Sequence, residues 1–283
     1  MLIAQATDLH IGFEPGNPDE ANTRRFRALL DQLCAAPDRP DALVLSGDLT
    51  EFGDAESYAR LAAMIADLPF PVLPMVGNHD LRAPFRAAFP ACPSEGGFIQ
   101  YDARIGPLRL LVLDTLEEGR HGGAFCETRA RWLADRLAED TAVPTVLALH
   151  HPPFESGLHW LDSGNHEPWV ARLAAVVAGA PNVVGLMSGH LHRSIAAQWQ
   201  GMTATVCSSS AAPAALDLRA ADPETPDGRA MITDAPPVYA LHRWDGARLA
   251  THFEWVAPVR PLAFYDESFQ PVVRVIAEER GGR

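Results

Sequence analysis

Residues 72–80, VLPMVGNHD, place four polar or turn-forming residues directly after a short apolar run. The apolar part, residues 72–76, has the length and composition of a buried β-strand. A Gly-Asn-His-Asp sequence at the end of a strand has few structural uses, because it combines a turn with side chains that bind ligands. The segment therefore predicts a buried strand that carries ligand-binding side chains at its carboxyl end.

The same pattern occurs four more times along the chain, each time at the end of an apolar run. The polar groups are Asp8-x-His10, Gly47-Asp48, His150-His151-Pro-Pro and Gly189-His190-x-His192. In α/β sheets, ligand sites form just beyond the carboxyl ends of the strands, where the ends of parallel strands meet. We therefore expect side chains that are far apart in sequence to meet at a single site.

Helical and strand-like patterns alternate up to about residue 193. The predicted helices carry apolar residues on one face, as Phe26, Leu29, Leu30 and Leu33 do in residues 22–35. The predicted strands are residues 2–6, 42–45, 72–76, 108–113, 143–149 and 183–187, and the helices are residues 22–35, 54–67, 127–139 and 167–178. This alternation indicates an α/β layered fold.

The character of the sequence changes after residue 193. Four strands joined by tight turns are predicted at residues 194–199, 202–207, 238–244 and 249–255. We predict a catalytic core at residues 1–212, an irregular cap at 213–237, strands that return to the core within 238–255, and a C-terminal arm at 256–283. The arm is rich in apolar residues without clear periodicity, and we interpret it as an oligomer contact.

Length, composition and charge limit the possible functions. The 283 residues suffice for one large domain, and 47% hydrophobic residues indicate a globular protein. A net charge of −13 argues against binding to nucleic-acid polymers. No apolar run approaches the ~20 residues that span a bilayer, so we expect no membrane insertion. We expect a cytoplasmic protein with reduced cysteines, because the N-terminus lacks a basic region and cleavage there would remove Asp8 and His10.

The residue types at the strand ends suit divalent metal ions. Imidazole, carboxylate and amide oxygen bind Zn, Mn, Fe or Co. Residues two apart, as in Asp-x-His, leave the same face of an extended segment and can contact one ion. Two ions about 3.5–4 Å apart, with a carboxylate between them, can activate a water molecule. A lone Asp-x-His or Gly-Asp is usually a simple turn, but five such groups at strand ends make coincidence a poor explanation.

The five blocks between Asp8 and His192 resemble those of the calcineurin-like metallophosphoesterase family. The resemblance is strongest to its class III cyclic nucleotide phosphodiesterases and to similar bacterial glycerophosphodiesterases. It implies a four-layer α/β/β/α sandwich of two mixed sheets with a small C-terminal cap and arm. It also implies two divalent metal ions, one bound by Asp8, His10, Asp48 and His192 and the other by Asp48, Asn78, His150 and His190. His151 is the alternative to His150.

The resemblance also implies roles in catalysis. A hydroxide that bridges the metal ions would attack phosphorus, and His79 would contact phosphate and donate a proton to the leaving oxygen. Asp80 could hold the His79 ring in one tautomer, as carboxylates often do, and the less favoured alternative is a cap of the loop.

Other candidate substrate contacts are Asn78 and His192, together with Trp160 and Asn165 in the loop after His151. Trp160 could stack on a base or only anchor this loop. His121, His159 and His166 are interpreted as surface residues, and Arg82 either steers phosphate or forms a surface ion pair.

The predicted function is hydrolysis of small phosphodiesters, either 3′,5′-cyclic nucleotides such as cyclic AMP or glycerophosphodiesters. The alternatives are a phosphomonoesterase of the same fold and a non-catalytic scaffold that binds proteins. All seven expected metal ligands are present in the sequence, and this completeness favours the enzyme. The expected assembly is a homo-oligomer.

Overall fold

The computed structural model describes residues 1–162 and 166–281. These residues form eleven strands and six helices. The strands are β1 (Leu2–Ala6), β2 (Ala42–Ser46), β3 (Val72–Met75), β4 (Tyr101–Ile105), β5 (Leu108–Leu113), β6 (Thr145–Leu149), β7 (Val183–Ser188), β8 (Ile195–Trp199), β9 (Met202–Val206), β10 (Val238–Trp244) and β11 (Leu249–Trp255). The helices are α1 (Ala21–Ala35), α2 (Ala55–Ile65), α3 (Arg82–Ala88), α4 (Glu127–Glu139), α5 (Pro168–Val177) and α6 (Gln270–Glu279).

The strands form two mixed sheets. The first has the order β11-β10-β1-β2-β3, in which β1, β2 and β3 are parallel and β10 and β11 are antiparallel to their neighbours. The second has the order β4-β5-β6-β7-β9-β8, in which only the edge strands β4 and β8 run antiparallel to the neighbouring strand. The carboxyl ends of the parallel strands therefore gather at one edge of each sheet.

The side chains of these strands alternate between two apolar layers. Ile3, Val44 and Val146 belong to the core between the sheets. The side chains that alternate with these along each strand face outward. There they pack against α1, α2 and α3 on the first sheet and against α4 and α5 on the second. Because both faces of the central parallel strands are covered, β2, β5 and β6 are buried along their whole length, whereas β8 and β11 at the sheet edges carry exposed residues. The result is an α/β/β/α sandwich, which confirms the predicted fold.

A buried polar contact joins the two sheets beside the strand ends. Gln5 Nε2 of the first sheet donates hydrogen bonds to Ser46 Oγ and to Ser188 O of the second sheet, both at 2.8 Å. The ends of β1, β2 and β7 are thereby fixed relative to one another. These hydrogen bonds and the packing of the core therefore fix the positions at which the polar groups after these strands begin.

The predicted elements are confirmed with boundaries that differ by no more than two residues, whereas α3, β4 and α6 were missed. The C-terminal arm was expected to lack periodicity, but it contains helix α6. Val272, Val273 and Ile276 share one face of α6 with Phe269, at positions i, i+3, i+4 and i+7, and none of the residues of α6 is buried. Large apolar side chains along the arm are exposed, among them Leu262, Phe264 and Tyr265.

Residues 213–237, the cap, contain no helix and only a single β-bridge, between Ala214 and Ile232. Backbone hydrogen bonds from Ala215 N to Met231 O and from Thr233 N to Pro213 O, both 2.9 Å, flank this bridge. No helix in the described part of the chain is long and apolar enough to cross a membrane.

Candidate metal centre

The loops that follow the strands hold an unusual backbone conformation at the predicted ligands. Asp8, His10, Asp48, His190 and His192 have φ angles between 47° and 72°. Among the other described non-glycine residues, only Gln200 has a positive φ. Such conformations cost roughly 1–3 kcal/mol each and persist where the surrounding structure enforces them, often at functional sites. Five of the seven predicted metal ligands thus occupy a strained backbone.

Asp8, His10 and His192 form the first cluster. The Nε2 atoms of His10 and His192 lie 3.1 Å apart, and His192 Nε2 lies 3.3 Å from Asp8 Oδ1. The Nδ1 atoms are already engaged, by Glu51 Oε2 at 2.7 Å for His10 and by Ala212 O at 2.9 Å for His192. Because Nδ1 donates in each ring, both Nε2 atoms present lone pairs to each other. A cation between them would satisfy both.

A second cluster surrounds His150 and His190. His150 Nδ1 donates to Ser46 O at 2.8 Å, and its Nε2 lies 3.2 Å from Asp48 Oδ2 without the alignment of a hydrogen bond. His190 Nε2 is buried without a hydrogen-bond partner among the described residues, and its Nδ1 lies 3.0 Å from Asn78 Oδ1. Buried ring nitrogens without partners are costly unless a ligand binds them. The donor set therefore fits a divalent metal ion.

Asp48 belongs to two groups of potential metal-binding side chains, His10–Asp48–His79 and Asp8–Asp48–His150, within each of which the ligand atoms lie within 4.8 Å. Asp48 is buried between the two histidine clusters, as a bridging carboxylate would be. The backbone of Gly77 approaches it closely: a Cβ at Gly77 would lie 2.3 Å from Asp48 Oδ1. Only glycine fits there without displacing the carboxylate.

His150 and His151 differ in how their ring nitrogens are engaged. His151 Nδ1 lies 2.8 Å from Thr115 Oγ1, and its Nε2 lies 3.2 Å from His121 O. His150 has an Nε2 without a hydrogen-bond partner among the described residues. Both rings are fully buried, but the hydrogen bonds favour His150 as the metal ligand. His151 also lies in a group with His150 and His190, so the choice stays a prediction.

The expected contact between Asp80 and His79 is replaced by other contacts. The buried Asp80 carboxylate accepts hydrogen bonds from Leu49 N (3.1 Å), Gly77 N (2.8 Å) and Tyr58 Oη (2.7 Å), so it ties the two loops together. The His79 ring is held instead by Glu51, with Nδ1 3.0 Å from the carbonyl oxygen. The role of Asp80 as the residue that orients His79 is therefore corrected to that of a structural anchor.

The carboxylates of Asp8 and Asp48 and the neighbouring histidines shift one another's pKa values. Burial alone would raise the pKa of Asp8, but His192 and His150 outweigh burial and lower it to about 2. Burial would likewise raise the pKa of Asp48, which His150 and His10 hold well below its usual value. Burial would lower the pKa of His150, yet Asp48 and Asp8 raise it to about 9. Two ionised carboxylates thus favour positive charge at this site.

Sequence reasoning missed two residues of the site. Glu51 contacts both His10 and His79, and its only sequence signal is its position in the loop after β2. His121 was interpreted as a surface residue, and its side chain is exposed. Its Nδ1 nevertheless lies 3.2 Å from Asn78 Nδ2, and its ring centroid lies 5.1 Å from that of His190.

A cavity of about 450 Å³ opens beside the clusters. Its lining includes His10, Phe13, Asn22, Glu51, His79, His121, Trp160, Leu161, His192, Ala211, Ala212 and Ile232. Of the predicted substrate contacts, the structure brings His79, His192 and Trp160 to this cavity. Asn78 does not line it and contacts His121 and His190. Asn165 lies outside the described residues.

The other polar residues considered from sequence lie elsewhere. His159 and His166 are exposed. Arg82 pairs with Asp114, with Nε 2.7 Å from Oδ2, and donates to Leu116 O. Arg82 therefore forms an ion pair, as one interpretation had it, but with the buried Asp114 and not at the surface.

Comparisons with known proteins agree with this geometry. The sequence model of the family described as calcineurin-like phosphoesterase matches residues 1–194. A probable cyclic nucleotide phosphodiesterase of Rhodopseudomonas palustris is 34% identical over 220 residues, which cover 74% of this chain and 76% of that protein. A probable glycerophosphodiester phosphodiesterase of Arcobacter nitrofigilis is 28% identical over 276 residues, which cover 94% of this chain and 98% of that protein.

The fold is also shared with solved structures. A dimetal phosphatase from Danio rerio superposes with a TM-score of 0.64 at 13% sequence identity, covering 91% of this chain and 96% of that chain. At this level of identity the similarity concerns the fold alone.

Proposed function

The chain belongs to the calcineurin-like phosphoesterase family, and we propose that it hydrolyses small phosphodiesters at a centre of two divalent metal ions. The observation that carries the proposal is the pair of histidine–carboxylate clusters on either side of Asp48, with ring nitrogens of His150 and His190 that lack hydrogen-bond partners among the described residues. The names of the two relatives support diester cleavage.

The proposed ligand sets divide the site about Asp48. Asp8, His10, Asp48 and His192 would hold one ion, and Asp48, Asn78, His150 and His190 the other. When bound, the ions would supply Lewis acidity and an activated water molecule as the nucleophile. The donor set suits Mn, Fe, Zn or Co, and metal availability would decide among them.

The remaining groups would handle the substrate and its protons. His79 lines the cavity, and its Nδ1–H donates to Glu51 O, so Nε2 is the ring nitrogen left for the substrate. To act as the general acid the ring would enter the reaction as the imidazolium, with Nε2–H giving its proton to the leaving oxygen and Nδ1–H staying on Glu51 O. Its backbone N–H donates to Asp48 Oδ1 at 2.9 Å, which ties the position of His79 to that of the shared carboxylate. His192, Asn78, Trp160 and Asn165 remain the proposed substrate contacts.

The substrate class proposed here includes 3′,5′-cyclic nucleotides and glycerophosphodiesters. A net charge of −13 disfavours a polyanionic nucleic acid, whereas a single phosphate would be attracted by the metal ions. A phosphomonoesterase is the alternative within the same fold. The scaffold alternative is weaker, because all seven expected ligands are present in the sequence.

We further propose that the protein is a cytoplasmic homo-oligomer. All four cysteines are free, which suits a reducing compartment. Exposed apolar side chains on the arm, including Leu262 at 87% and Tyr265 at 72%, would be buried against a second copy. Light scattering of the purified chain beside a Leu262→Ser, Tyr265→Ser variant tests this, and a monomeric parent chain would refute it.

The experiment for the proposed activity uses chelator-stripped protein and bis(p-nitrophenyl) phosphate. We expect Mn²⁺ to restore cleavage, and we expect Asn78→Ala and His79→Ala to abolish most of it. Asn17→Ala and His159→Ala are matched controls, since both residues are outside the cavity lining. A folded protein without diesterase activity in any divalent metal would refute the proposal and favour the scaffold.

A further inference from the structure

Two kinds of side chain line the cavity beside the metal centre. His10, His79 and His192 belong to the potential metal-binding groups. Phe13 and Ile232 are apolar and remain 60% and 47% exposed. Trp160 lines the cavity as well and is only partly buried. Partly exposed apolar side chains that share one cavity near a reactive centre are typical of a subsite for an apolar part of the substrate.

Phe13 is held in place by a buried carboxylate. Glu20, which is 1% exposed, accepts a hydrogen bond from Gly12 N through Oε1 and one from Glu14 N, at 2.7 Å, through Oε2. The two amide groups lie on either side of Phe13 in the chain, so the loop is fixed at the residue that projects its ring. A loop tip that only faces solvent would not need a buried carboxylate such as that of Glu20 to fix its backbone.

Ile232 is positioned by the base of the cap. Its β-bridge to Ala214 closes the cap, and Arg25 of α1 donates to Ala211 O at 2.8 Å and to Ala235 O at 2.6 Å. One guanidinium therefore joins both ends of the segment that carries Ile232. Trp160 packs against the apolar cluster that contains Leu161. The three side chains thus come from three separately anchored segments.

We propose that Phe13, Trp160 and Ile232 form an apolar clamp that binds the planar base of a nucleotide-type phosphodiester, so that the enzyme prefers it to a glycerol-type diester. The proposal rests on the phosphodiesterase function above. A flat heteroaromatic ring offers two apolar faces to Phe13, Trp160 and Ile232. A glycerol group would place hydroxyls against hydrocarbon, where they lose hydrogen bonds to water.

A quaternary ammonium group is the other ligand that aromatic side chains bind, through cation–π contacts. Ile232 and Leu161 provide no π face, so apart from the histidine rings only Phe13 and Trp160 would form a cage. A planar base can contact both the aliphatic and the aromatic side chains, so we favour a base over an ammonium group. Glycerophosphocholine, which carries a quaternary ammonium group, is included in the test as a separate substrate.

The test measures kcat/KM with Mn²⁺ for cyclic AMP, glycerophosphoethanolamine and glycerophosphocholine in Phe13→Ala and Ile232→Ala. Phe52→Ala and Met231→Ala are the controls. Phe52 is 57% exposed and lines a different cleft, whereas Met231 is 39% exposed and precedes Ile232 without lining the cavity. We expect Phe13→Ala to lower the preference for cyclic AMP over glycerophosphoethanolamine roughly 5- to 150-fold, as stacking on one base implies. Ile232→Ala should lower it less, and the controls should not change it.

Equal losses on all three substrates would overturn the clamp, because they would mean that Phe13 only supports the loop. A loss confined to glycerophosphocholine would overturn it in favour of an ammonium site. Bis(p-nitrophenyl) phosphate separates these results from failure of the proposed function: if the parent chain cleaves none of the four esters, the phosphodiesterase function itself fails and the clamp falls with it.

Discussion

Replacing Gly77 with alanine adds one methyl group beside the carboxylate that the two proposed metal ions share. The new Cβ would lie 2.3 Å from Asp48 Oδ1, 2.5 Å from Asp48 N and 2.7 Å from His150 Nε2. Ordinary contact begins near 3.4 Å, so Asp48 or the loop must move by about 1 Å. The backbone of Gly77 lies outside the left-handed region, so the added contacts alone cause the effect.

The size of the expected effect follows from these distances. Overpacking by one methyl group costs about 1–3 kcal/mol of stability. Metal ligands tolerate displacements of only about 0.2 Å, so a shift of this size should weaken metal affinity at least as much as the loss of a supporting contact, roughly 10- to 100-fold. Asp48 is proposed to contact both ions, so both affinities should fall.

The assay titrates chelator-stripped Gly77→Ala with Mn²⁺ and follows diester cleavage, while urea unfolding reports stability. Gly179→Ala is the matched control, because a Cβ there meets no atom within 4 Å and its φ also lies outside the left-handed region. We expect the control to behave as the parent chain. A Gly77→Ala variant with unchanged metal half-saturation and unchanged activity would refute the reasoning.

Three further predictions concern buried polar groups. Tyr58→Phe removes the hydroxyl that donates to Asp80 Oδ1 at 2.7 Å, and it should lower the urea-derived free energy of unfolding by about 1.5–3 kcal/mol; a loss below about 0.5 kcal/mol would contradict this. Burial lowers the pKa of His242 to about 4 from 6.5, so the unfolded chain takes up a proton first and stability falls as pH drops from 6.5 towards 4. His242→Gln should therefore lose about 2 kcal/mol less stability than the parent chain between about pH 7.5 and pH 5, and parallel pH curves would count against this. Against the effect of burial, Asp48 and Asp8 raise the pKa of His150 to about 9, so Mn²⁺ binding near pH 7 should release at least about one proton per chain. Calorimetry in two buffers of different ionisation enthalpy measures that release, and equal heats would exclude it.

The sequence predicted the fold best where a short apolar run corresponds to a buried strand. The buried parallel strands read as short continuous apolar runs, and the polar residues that end them have few structural uses apart from anchors such as Asp80. Helix α3 and strand β4 were missed because seven and five residues carry too little periodicity. The signal for helix α6 was present in the sequence, because Phe269, Val272, Val273 and Ile276 recur at helical spacing.

The sequence indicated which side chains gather at the strand ends but not their supporting contacts. Asp8 and Asp48 lie two residues after β1 and β2, and His150 directly follows β6, so the topology alone brings them together. His121 lies in an irregular loop, and tertiary hydrogen bonds such as that between His151 Nε2 and His121 O bring it to the site. The direction of the Asp80 carboxylate depends on which loop amides are free to donate, and a single sequence does not give this.

The most direct test of the central claim counts metal ions and activity in the same sample. Chelator-stripped protein is titrated with Mn²⁺, bound metal per chain is measured by mass spectrometry after dialysis, and cleavage of bis(p-nitrophenyl) phosphate is followed at each point. The account predicts two ions per chain, activity that rises as the second ion binds, and weakened binding of both ions in Asp48→Asn. Saturation at a single ion, or two bound ions without diester cleavage, would contradict it.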